Sequence, residues 1–212
     1  MRAVIFVNGE IVDYPATARW LHSDDYRIAA DGGARHMDAL GLSPHVIVGD
    51  LDSIDENLLA RYRQEGAAVE RHPTAKAATD LELAIARAVS DGAAEVLLIG
   101  ALGGRLDQTL ANLLILAQRK WNVPLAVAEG DQLARVLRGP RELTLTGSKG
   151  GYVSAIALSE EVTGVTYKGL EYPLVKATLR LGSTLGVSNT LASSPAHISI
   201  ETGILLVIQQ FL

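Results

Sequence analysis

The sequence predicts an α/β region followed by an all-β region. We expect an N-terminal parallel-sheet α/β/α (Rossmann-like) domain over residues 1–133 and a smaller C-terminal β-sandwich domain over residues 134–212. In the first region, short β-rich runs alternate with helical patterns, which is typical of βαβ units with helices on both faces of a parallel sheet. In the second, helical spacing is missing, and runs such as 176–181 alternate polar and apolar residues.

The expected elements follow from these patterns in chain order. Continuous apolar runs predict buried strands in the first region at 3–7, 26–30, 46–48, 68–71, 96–99 and 125–128. Apolar residues at helical spacing predict helices at 58–62, 81–89 and 106–117. In the second region, Gly, Ser and Pro turn signals separate further strands at 142–146, 152–158, 176–181, 196–201 and 204–210. We expect hairpin turns at 147–151 and at Thr202-Gly203.

Composition excludes several classes of function. The 212 residues contain no cysteine, which excludes disulfides, cysteine nucleophiles and thiolate zinc sites. The formal net charge is -5 and no basic run is visible, so a nucleic-acid partner is not expected. No apolar run approaches the roughly 20 residues of a membrane helix, and the apolar stretch at the N-terminus is too short for a signal peptide. We therefore expect a cytoplasmic protein without a membrane partner.

Five aspartates lie where a hydrophobic run gives way to glycine or to the start of a helix. They are Asp31, Asp50, Asp52, Asp80 and Asp107. In an open parallel sheet the ligand crevice lies outside the carboxyl ends of the strands, so acids at successive strand ends should converge. Converging carboxylates require a cation.

The first of these positions is the triplet Asp31-Gly32-Gly33, which connects a predicted strand to a helix start. Backbone N–H groups at such a start can bind a phosphate, and glycines let it approach closely. A plain tight turn explains the triplet equally simply.

Asp50 and Asp52 form the sharper signal. Residues two apart in an extended chain point the same way, so both carboxylates can share a hard cation such as Mg²⁺. Alternatively, Ser53 and Glu56 form a capping box for the next helix, with Asp52 favoured by the helix dipole. Capping does not explain Asp50.

Thr79 and Glu82 have capping-box spacing ahead of a predicted helix, and a cap alone explains Asp80 between them. Upstream, Lys76 has the charge to bind a phosphate, although an isolated loop lysine is more often solvated surface.

The segment 100–108 again places glycines between a strand and a helix. Arg105 follows Gly103 and Gly104, and its guanidinium fork matches the geometry of phosphate oxygens. Asp107 and Gln108 follow in the first helical turn. Carboxylates and phosphates repel each other, so a site with both requires a divalent metal between them. The residues therefore indicate magnesium-dependent phosphoryl-type transfer, without naming the acceptor.

Four segments taken in order resemble the catalytic domain of the thiamin pyrophosphokinase family. They are Asp31-Gly32-Gly33, Gly49-Asp50-Leu51-Asp52-Ser53, Thr79-Asp80 and Gly103-Gly104-Arg105-Leu106-Asp107-Gln108. Segments 169–174 and 186–189 are similar to the thiamin-binding domain of that family, so the resemblance covers nearly the whole chain.

The resemblance implies an enzyme that transfers the pyrophosphoryl group of ATP to thiamin, with Mg²⁺ as cofactor and a homodimer whose sites lie at the subunit interface. The implied metal ligands are Asp50, Asp52 and Asp80, which with Asp31 and Arg105 form the catalytic set. The implied nucleotide-binding residues are Gly32, Gly33, Lys76, Gly103, Gly104, Arg105, Asp107 and Gln108. Asp80, Ser188 and Asn189 are implied to contact thiamin.

One position departs from the family pattern. Members of the family commonly carry an acid two residues before the Thr-Asp pair, where this chain has Ala77. Three other interpretations stay open at this point. They are a pyrophosphokinase for another hydroxymethyl heterocycle such as a pterin, a non-catalytic nucleotide or thiamin sensor, and a chain whose aspartates serve only as caps and turns.

Overall fold

The computed structural model describes residues 1–75, 77–118 and 121–212. The chain divides into two compact units, Met1–Gly130 and Asp131–Leu212. The first unit combines parallel strands with helices and the second consists of strands, so the prediction of an α/β region followed by a separate all-β region is confirmed. None of the helices in the described part of the chain combines the length and the apolar character that crossing a membrane requires.

The first unit alternates strands and helices. Its strands are β1 (Arg2–Phe6), β2 (Tyr26–Ala30), β3 (Val46–Gly49), β4 (Ala68–Arg71), β5 (Glu95–Ile99) and β6 (Leu125–Glu129). Its helices are α1 (Tyr14–Ala18), α2 (Ala34–Ala39), α3 (Glu56–Gln64), α4 (Asp80–Ser90) and α5 (Leu106–Leu114). Short 3₁₀ turns occupy Asp31–Gly33 and Ile115–Ala117. The six predicted strands of this region are therefore confirmed, with ends that differ by one residue at most.

Helix α4 shows how the sequence pattern produces packing in this unit. Leu81, Ala84, Ile85 and Ala88 recur at helical spacing and are buried, and the helix packs against β1, β2 and β3. Apart from Arg2, Tyr26 and Arg27 at their starts, the residues of those strands are apolar and buried, as expected for strands covered by helices.

Sequence reasoning missed helix α1. Asp13 caps it by accepting a hydrogen bond from the Ala16 N–H at 2.8 Å, and Pro15 lies in its first turn. An acidic cap followed by an early proline is a recognised start signal. The five-residue helix is too short to show apolar periodicity.

The strands of the first unit pair in parallel in the order β6-β5-β1-β2-β3-β4. The chain moves outward from β1 to β4 and then returns to the other side of β1 for β5 and β6. The strand order thus reverses between β1 and β5. In open parallel sheets, ligands bind outside the carboxyl ends of the strands at such a reversal.

The second unit contains eight strands in two antiparallel groups. In chain order they are β7 (Gln132–Arg138), β8 (Arg141–Leu145), β9 (Tyr152–Ala157), β10 (Glu161–Lys168), β11 (Ala177–Arg180), β12 (Asn189–Thr190), β13 (Ala196–Ile200) and β14 (Ile204–Gln210). One group has the order β12-β9-β14-β7 and the other β11-β10-β13-β8. Leu145 and Val162 from one group share a core with Val153 and Leu205 from the other.

The two predicted hairpins are wrong. Segment 147–151 joins β8 to β9, and Thr202-Gly203 joins β13 to β14, but neither pair of strands is hydrogen-bonded together. Each connection passes from one group of strands to the other. Turn residues mark where a strand ends, whereas the strand with which it pairs is decided by burial of the whole apolar face.

Candidate active site

A cavity of about 690 Å³ lies in the first unit. Its lining residues come from the segments that follow β1, β2, β3, β4 and β5, and they include Asn8, Asp31, Asp50, Asp80 and Arg105. The cavity therefore lies at the carboxyl ends of the parallel strands, where the reversal of strand order leads us to expect a ligand.

Three of the predicted acids come together in this cavity. Asp31, Asp50 and Asp52 each place a carboxylate oxygen within 4.8 Å of the others. Asp80 also lines the cavity. A Cβ atom on Gly49 would lie 2.9 Å from the Asp31 Cβ and 3.2 Å from the Asp80 Oδ1, so the absence of a side chain at Gly49 lets these two acids approach.

Asp31 is the most constrained of these acids. It is buried, and it has a backbone φ of +47°, which non-glycine residues rarely adopt. Within the described residues, its buried Oδ1 atom has no hydrogen-bond partner. Burial raises the pKa of the Asp31 carboxyl, and the charges of Asp80 and Asp50 act in the same direction, whereas the neighbouring Gly32 N–H acts to lower it.

Asp50 and Asp52 meet through a turn and not through an extended strand. Strand β3 ends at Gly49, and Leu51 has a left-handed φ of +69°. The Asp52 N–H approaches the Asp50 Oδ1 at 3.3 Å, and the Ser53 hydroxyl donates to the Asp52 Oδ1 at 2.9 Å. The extended-chain reason for their proximity was therefore wrong.

The alternative role of this segment as a capping box is also wrong. The N-cap of α3 is Asp55, whose Oδ1 accepts hydrogen bonds from the Asn57 and Leu58 N–H groups at 2.9 and 3.0 Å. Ser53 lies outside the helix, and its hydroxyl is used by Asp52.

The cap predicted for α4 is confirmed. The Thr79 hydroxyl accepts a hydrogen bond from the Glu82 N–H at 3.2 Å, and Asp80 occupies the first helical position. Favourable capping and a place in the cavity thus coexist at Asp80. Lys76, which has the charge to bind a phosphate, lies outside the described residues.

Arg105 lines the cavity together with Gly103, Gly104 and Gln108. Its guanidinium forms a two-pronged ion pair with Asp107, at 3.1 Å from Nε to Oδ1 and 2.6 Å from Nη2 to Oδ2. This pair lowers the pKa of Asp107. Both side chains are largely exposed, so a phosphate can compete with Asp107 for the guanidinium.

Gly32 and Gly33 are buried and are not among the residues that line the cavity. A Cβ atom on Gly33 would lie 2.0 Å from the Phe6 carbonyl oxygen, and one on Gly32 would lie 2.5 Å from the Asn8 side chain. Close packing against the end of β1 therefore requires both glycines. A contact between them and nucleotide stays a prediction.

Sequence reasoning missed the cavity residues that follow β1. Asn8, Gly9 and Glu10 line the cavity, as does Arg35 at the start of α2. A Cβ atom on Gly103 would lie 3.2 Å from the Glu10 Oε2, which places this carboxylate beside the 103–104 glycine turn. The strand-end rule that selected the aspartates applies equally after β1, and it could have identified Asn8 and Glu10.

Ser188 and Asn189 lie in the second unit. Asn189 is buried, its Oδ1 accepts from the Tyr172 and Thr190 N–H groups at 3.0 and 2.9 Å, and its Nδ2 donates to the Tyr172 carbonyl at 2.7 Å. Ser188 is exposed, has a φ of +61°, and donates its N–H to the Ser154 hydroxyl at 3.1 Å. Asn189 thus holds the 172 loop, and the predicted thiamin contacts of both residues stay predictions.

Comparison with known proteins assigns the family. The model for the catalytic domain of thiamin pyrophosphokinase matches residues 17–127, and the model for the vitamin B1 binding domain of the same enzyme matches residues 138–205. The chain belongs to the thiamin pyrophosphokinase family. The family predicted from the four motif segments is thereby confirmed.

Individual members of the thiamin pyrophosphokinase family match over most of their length. Thiamine pyrophosphokinase of Bacillus subtilis (strain 168) is 30% identical over 184 residues, which is 86% of each chain. Thiamine pyrophosphokinase 1 of Arabidopsis thaliana is 26% identical over 210 residues, covering 88% of this chain and 78% of the relative.

Two solved structures of the family resemble the fold closely. The crystal structure of the Bacillus subtilis thiamine pyrophosphokinase has a TM-score of 0.89 and 27% identity, and it covers 100% of this chain and 99% of that one. The thiamin pyrophosphokinase from Geobacillus thermodenitrificans has a TM-score of 0.82 and 29% identity, with 99% and 97% covered.

Proposed function

We propose that this chain is a thiamin diphosphokinase, which transfers the pyrophosphoryl group of ATP to the hydroxyl of thiamin and releases thiamin diphosphate and AMP. The observation that carries the proposal is the convergence of Asp31, Asp50 and Asp52 in one cavity of a chain that belongs to this family. Several carboxylates around a cavity suit a substrate that brings phosphates and a divalent cation together.

The donor set in the cavity fits Mg²⁺. The cluster offers carboxylate oxygens, the ligands that this hard cation prefers, and the Asp31 Oδ1 has no hydrogen-bond partner among the described residues. Asp50, Asp52 and Asp80 would hold the ion, with Asp31 beside them. A divalent cation there supplies positive charge that offsets the triphosphate and the charge developing during transfer.

The residues of the chain then have separate roles in the transfer. Arg105 exchanges Asp107 for a phosphate of ATP and neutralises part of its charge. Asp31 accepts the proton of the thiamin hydroxyl at Oδ1, the oxygen that has no hydrogen-bond partner among the described residues. The hydroxyl oxygen forms a bond to the β-phosphorus as the bond between that phosphorus and the α–β bridging oxygen breaks. AMP leaves with the bridging oxygen.

In this proposal each of the two regions binds a different substrate. Residues 1–133 form a Rossmann-like domain, with helices on both faces of its sheet, that binds ATP and Mg²⁺. Residues 134–212 form a β-sandwich that binds thiamin, with Ser188 and Asn189 lining its pocket. The match of residues 138–205 to a vitamin B1 binding domain supports this division. We further propose a cytoplasmic homodimer with its sites at the subunit interface.

Incubation with ATP, Mg²⁺ and thiamin, followed by identification of the products, tests the proposal. The wild-type chain should form thiamin diphosphate and AMP in equal amounts. Asp50→Ala should lower the rate at least about a hundredfold, because it removes one of the carboxylates that would hold the cation. At about 1.4 kcal/mol for each tenfold, this loss corresponds to about 2.8 kcal/mol of transition-state stabilisation.

Asp24→Ala is the matched control, because Asp24 is exposed and does not line the cavity. It should leave the rate unchanged. Release of ADP in place of AMP would refute the mechanism. Formation of thiamin diphosphate at an undiminished rate by Asp50→Ala would refute the role given to the acidic cluster.

A further inference from the structure

Arg35 is a cavity residue whose side chain is held in place by the backbone that follows β1. Its Nη2 donates to the Gly9 carbonyl at 2.6 Å and approaches the Asn8 carbonyl at 3.3 Å. The side chain is exposed and lines the cavity. Both carbonyl oxygens accept from Nη2 of the Arg35 guanidinium. Within the described residues, no protein acceptor is bound to Nε or Nη1 of Arg35.

The backbone at Gly9 is itself fixed. The Gly9 N–H donates to the Gly100 carbonyl at 2.8 Å, and the Glu10 N–H donates to the Leu102 carbonyl at 2.8 Å. A Cβ atom on Gly9 would lie 2.2 Å from the Leu102 carbonyl oxygen, so only glycine fits this position. The segment that anchors Arg35 is therefore bound tightly to the segment that follows β5.

The buried His36 side chain also contacts the Gly9 carbonyl that accepts from Arg35. His36 Nε2 lies 3.0 Å from the Gly9 carbonyl, and His36 Nδ1 lies 2.8 Å from the Tyr14 hydroxyl. A carbonyl can only accept, so Nε2 carries the proton and Nδ1 accepts from Tyr14. The Gly9 carbonyl thus receives hydrogen bonds from both His36 and Arg35, which keeps the Arg35 guanidinium at the cavity wall.

The charges around the cavity give this arginine its significance. The described acids of the lining are Glu10, Asp31, Asp50, Asp52 and Asp80. The described cations of the lining are Arg35 and Arg105, and Arg105 is already paired with Asp107. Among the described residues, no carboxylate forms an ion pair with Arg35. Arg35 thus offers a fixed guanidinium whose remaining N–H groups are available to a ligand.

We propose that Arg35 binds a phosphate of the ATP triphosphate through its Nε and Nη1 groups, as a second cation beside Arg105. This assignment rests on the proposed function and adds to it a phosphate-binding residue that the motif segments do not include. Because the guanidinium is held before ligand arrives, little side-chain entropy is lost on binding. Arg105, in contrast, must first release Asp107.

Binding of inorganic tripolyphosphate in the presence of Mg²⁺, followed by calorimetry, tests the assignment without requiring turnover. Arg35→Gln should weaken tripolyphosphate binding about ten- to a hundredfold, the range expected for a charge-assisted hydrogen bond. Arg35→Lys keeps the charge and should retain part of the lost affinity. The affinity of the wild-type chain should also fall more steeply with added salt than that of Arg35→Gln.

Arg19→Gln is the matched control, because Arg19 is an exposed arginine of the same unit that does not line the cavity. It should bind tripolyphosphate as the wild type does. The assignment is wrong if Arg35→Gln binds within twofold of wild type, or if the wild-type chain does not bind tripolyphosphate. It is also wrong if Arg35→Lys and Arg35→Gln lose equal affinity, because that result indicates a purely structural link to Gly9.

The two proposals fail in different ways. A wild-type chain that binds tripolyphosphate through Arg35 but forms no thiamin diphosphate would refute the proposed function and leave the Arg35 assignment standing. An active chain in which Arg35→Gln binds tripolyphosphate normally would refute Arg35 alone.

Discussion

Gly49 shows how one residue allows an acidic cluster to form. It ends β3, and a side chain there would meet the Asp31 Cβ at 2.9 Å and the Asp80 Oδ1 at 3.2 Å. Asp31 already adopts a left-handed φ of +47° in this crowded place. The strain is consistent with a position selected for its chemistry, since unfavourable backbone conformations concentrate at functional sites.

Single residues also reveal what sequence reasoning could not supply. The aspartates were identifiable because charged residues at strand ends stand out against apolar runs. The turn at Leu51 was not identifiable from the sequence, because a leucine does not indicate a left-handed φ, here +69°. The pairing of Arg105 with Asp107 depends on side-chain rotamers, which a sequence does not specify.

Asp25 supports a prediction about stability and pH. Its side chain is 1% exposed and pairs with Arg2, at 2.7 Å from each carboxylate oxygen to the guanidinium. Burial alone raises the pKa of Asp25, but hydrogen bonds from Arg2 and from the His22 N–H outweigh burial, so the pKa is lowered. The charged pair therefore stabilises the fold above the ordinary aspartate pKa, and this stabilisation is lost as the pH falls through the lowered pKa.

Asp25→Asn should lower the free energy of unfolding by roughly 3 kcal/mol near pH 7, since it removes one partner of a buried ion pair. Urea denaturation as a function of pH measures this difference. The difference in the free energy of unfolding between wild type and Asp25→Asn should become smaller below about pH 4. Asp24→Asn, at the exposed neighbouring position, should change stability by less than about 0.5 kcal/mol. A gap that does not change with pH would contradict the ion-pair explanation.

At the scale of elements, the parallel strands were easier to predict than the antiparallel ones. Buried parallel strands such as β3 are continuous apolar runs, so their ends follow from composition. Strand β10 was missed because the pattern of Glu161–Lys168 is interrupted by Gly164, at which a register shift occurs. The pairing of strands between 131 and 212 depends on long-range contacts that turn residues do not encode.

The segment between β4 and α4 leads to a prediction about Ala77. The family commonly has an acid at this position, but Ala77 is exposed and is not among the residues lining the cavity. Asp31, Asp50 and Asp52 already supply clustered carboxylates. Ala77→Asp should therefore change the rate of thiamin diphosphate formation by less than about threefold.

The rate of AMP release under saturating ATP and thiamin provides the measurement for Ala77→Asp. Ala67→Asp is the control for an added charge outside the cavity. A gain of tenfold or more by Ala77→Asp alone would show that the chain lacks a carboxylate it needs.

On the scale of the whole molecule, the acidic cluster is a product of topology. The aspartates of the cavity are separated by up to 49 positions, between Asp31 and Asp80, yet each lies beside an element whose end is at the same edge of the parallel sheet. Parallel pairing of β2 with β3 and of β3 with β4 brings these ends together. The place of the site, including the residues after β1, could therefore be anticipated from the βαβ pattern, whereas the part played by Arg35 on α2 required coordinates.

A folded cavity that assembles from distant segments should couple ligand binding to the stability of the chain. ATP with excess Mg²⁺, at about a hundred times its dissociation constant, should raise the free energy of unfolding by about 2.7 kcal/mol. For a chain of this size, the melting temperature should rise by roughly 5–10 °C. Scanning calorimetry with ATP plus Mg²⁺, and with ATP plus EDTA, measures the effect.

EDTA should remove most of the increase in melting temperature that ATP produces, because without a cation the carboxylates of Asp31, Asp50 and Asp52 repel the triphosphate. Asp50→Ala should show a smaller increase than wild type at the same ligand concentrations, and Asp24→Ala should match wild type. An increase that EDTA leaves intact would mean that ATP binds without a metal between its phosphates and the acids. Without a metal, carboxylates close to the triphosphate would repel it and oppose binding. ATP would then have to bind away from these carboxylates, and the acidic residues would have a structural role.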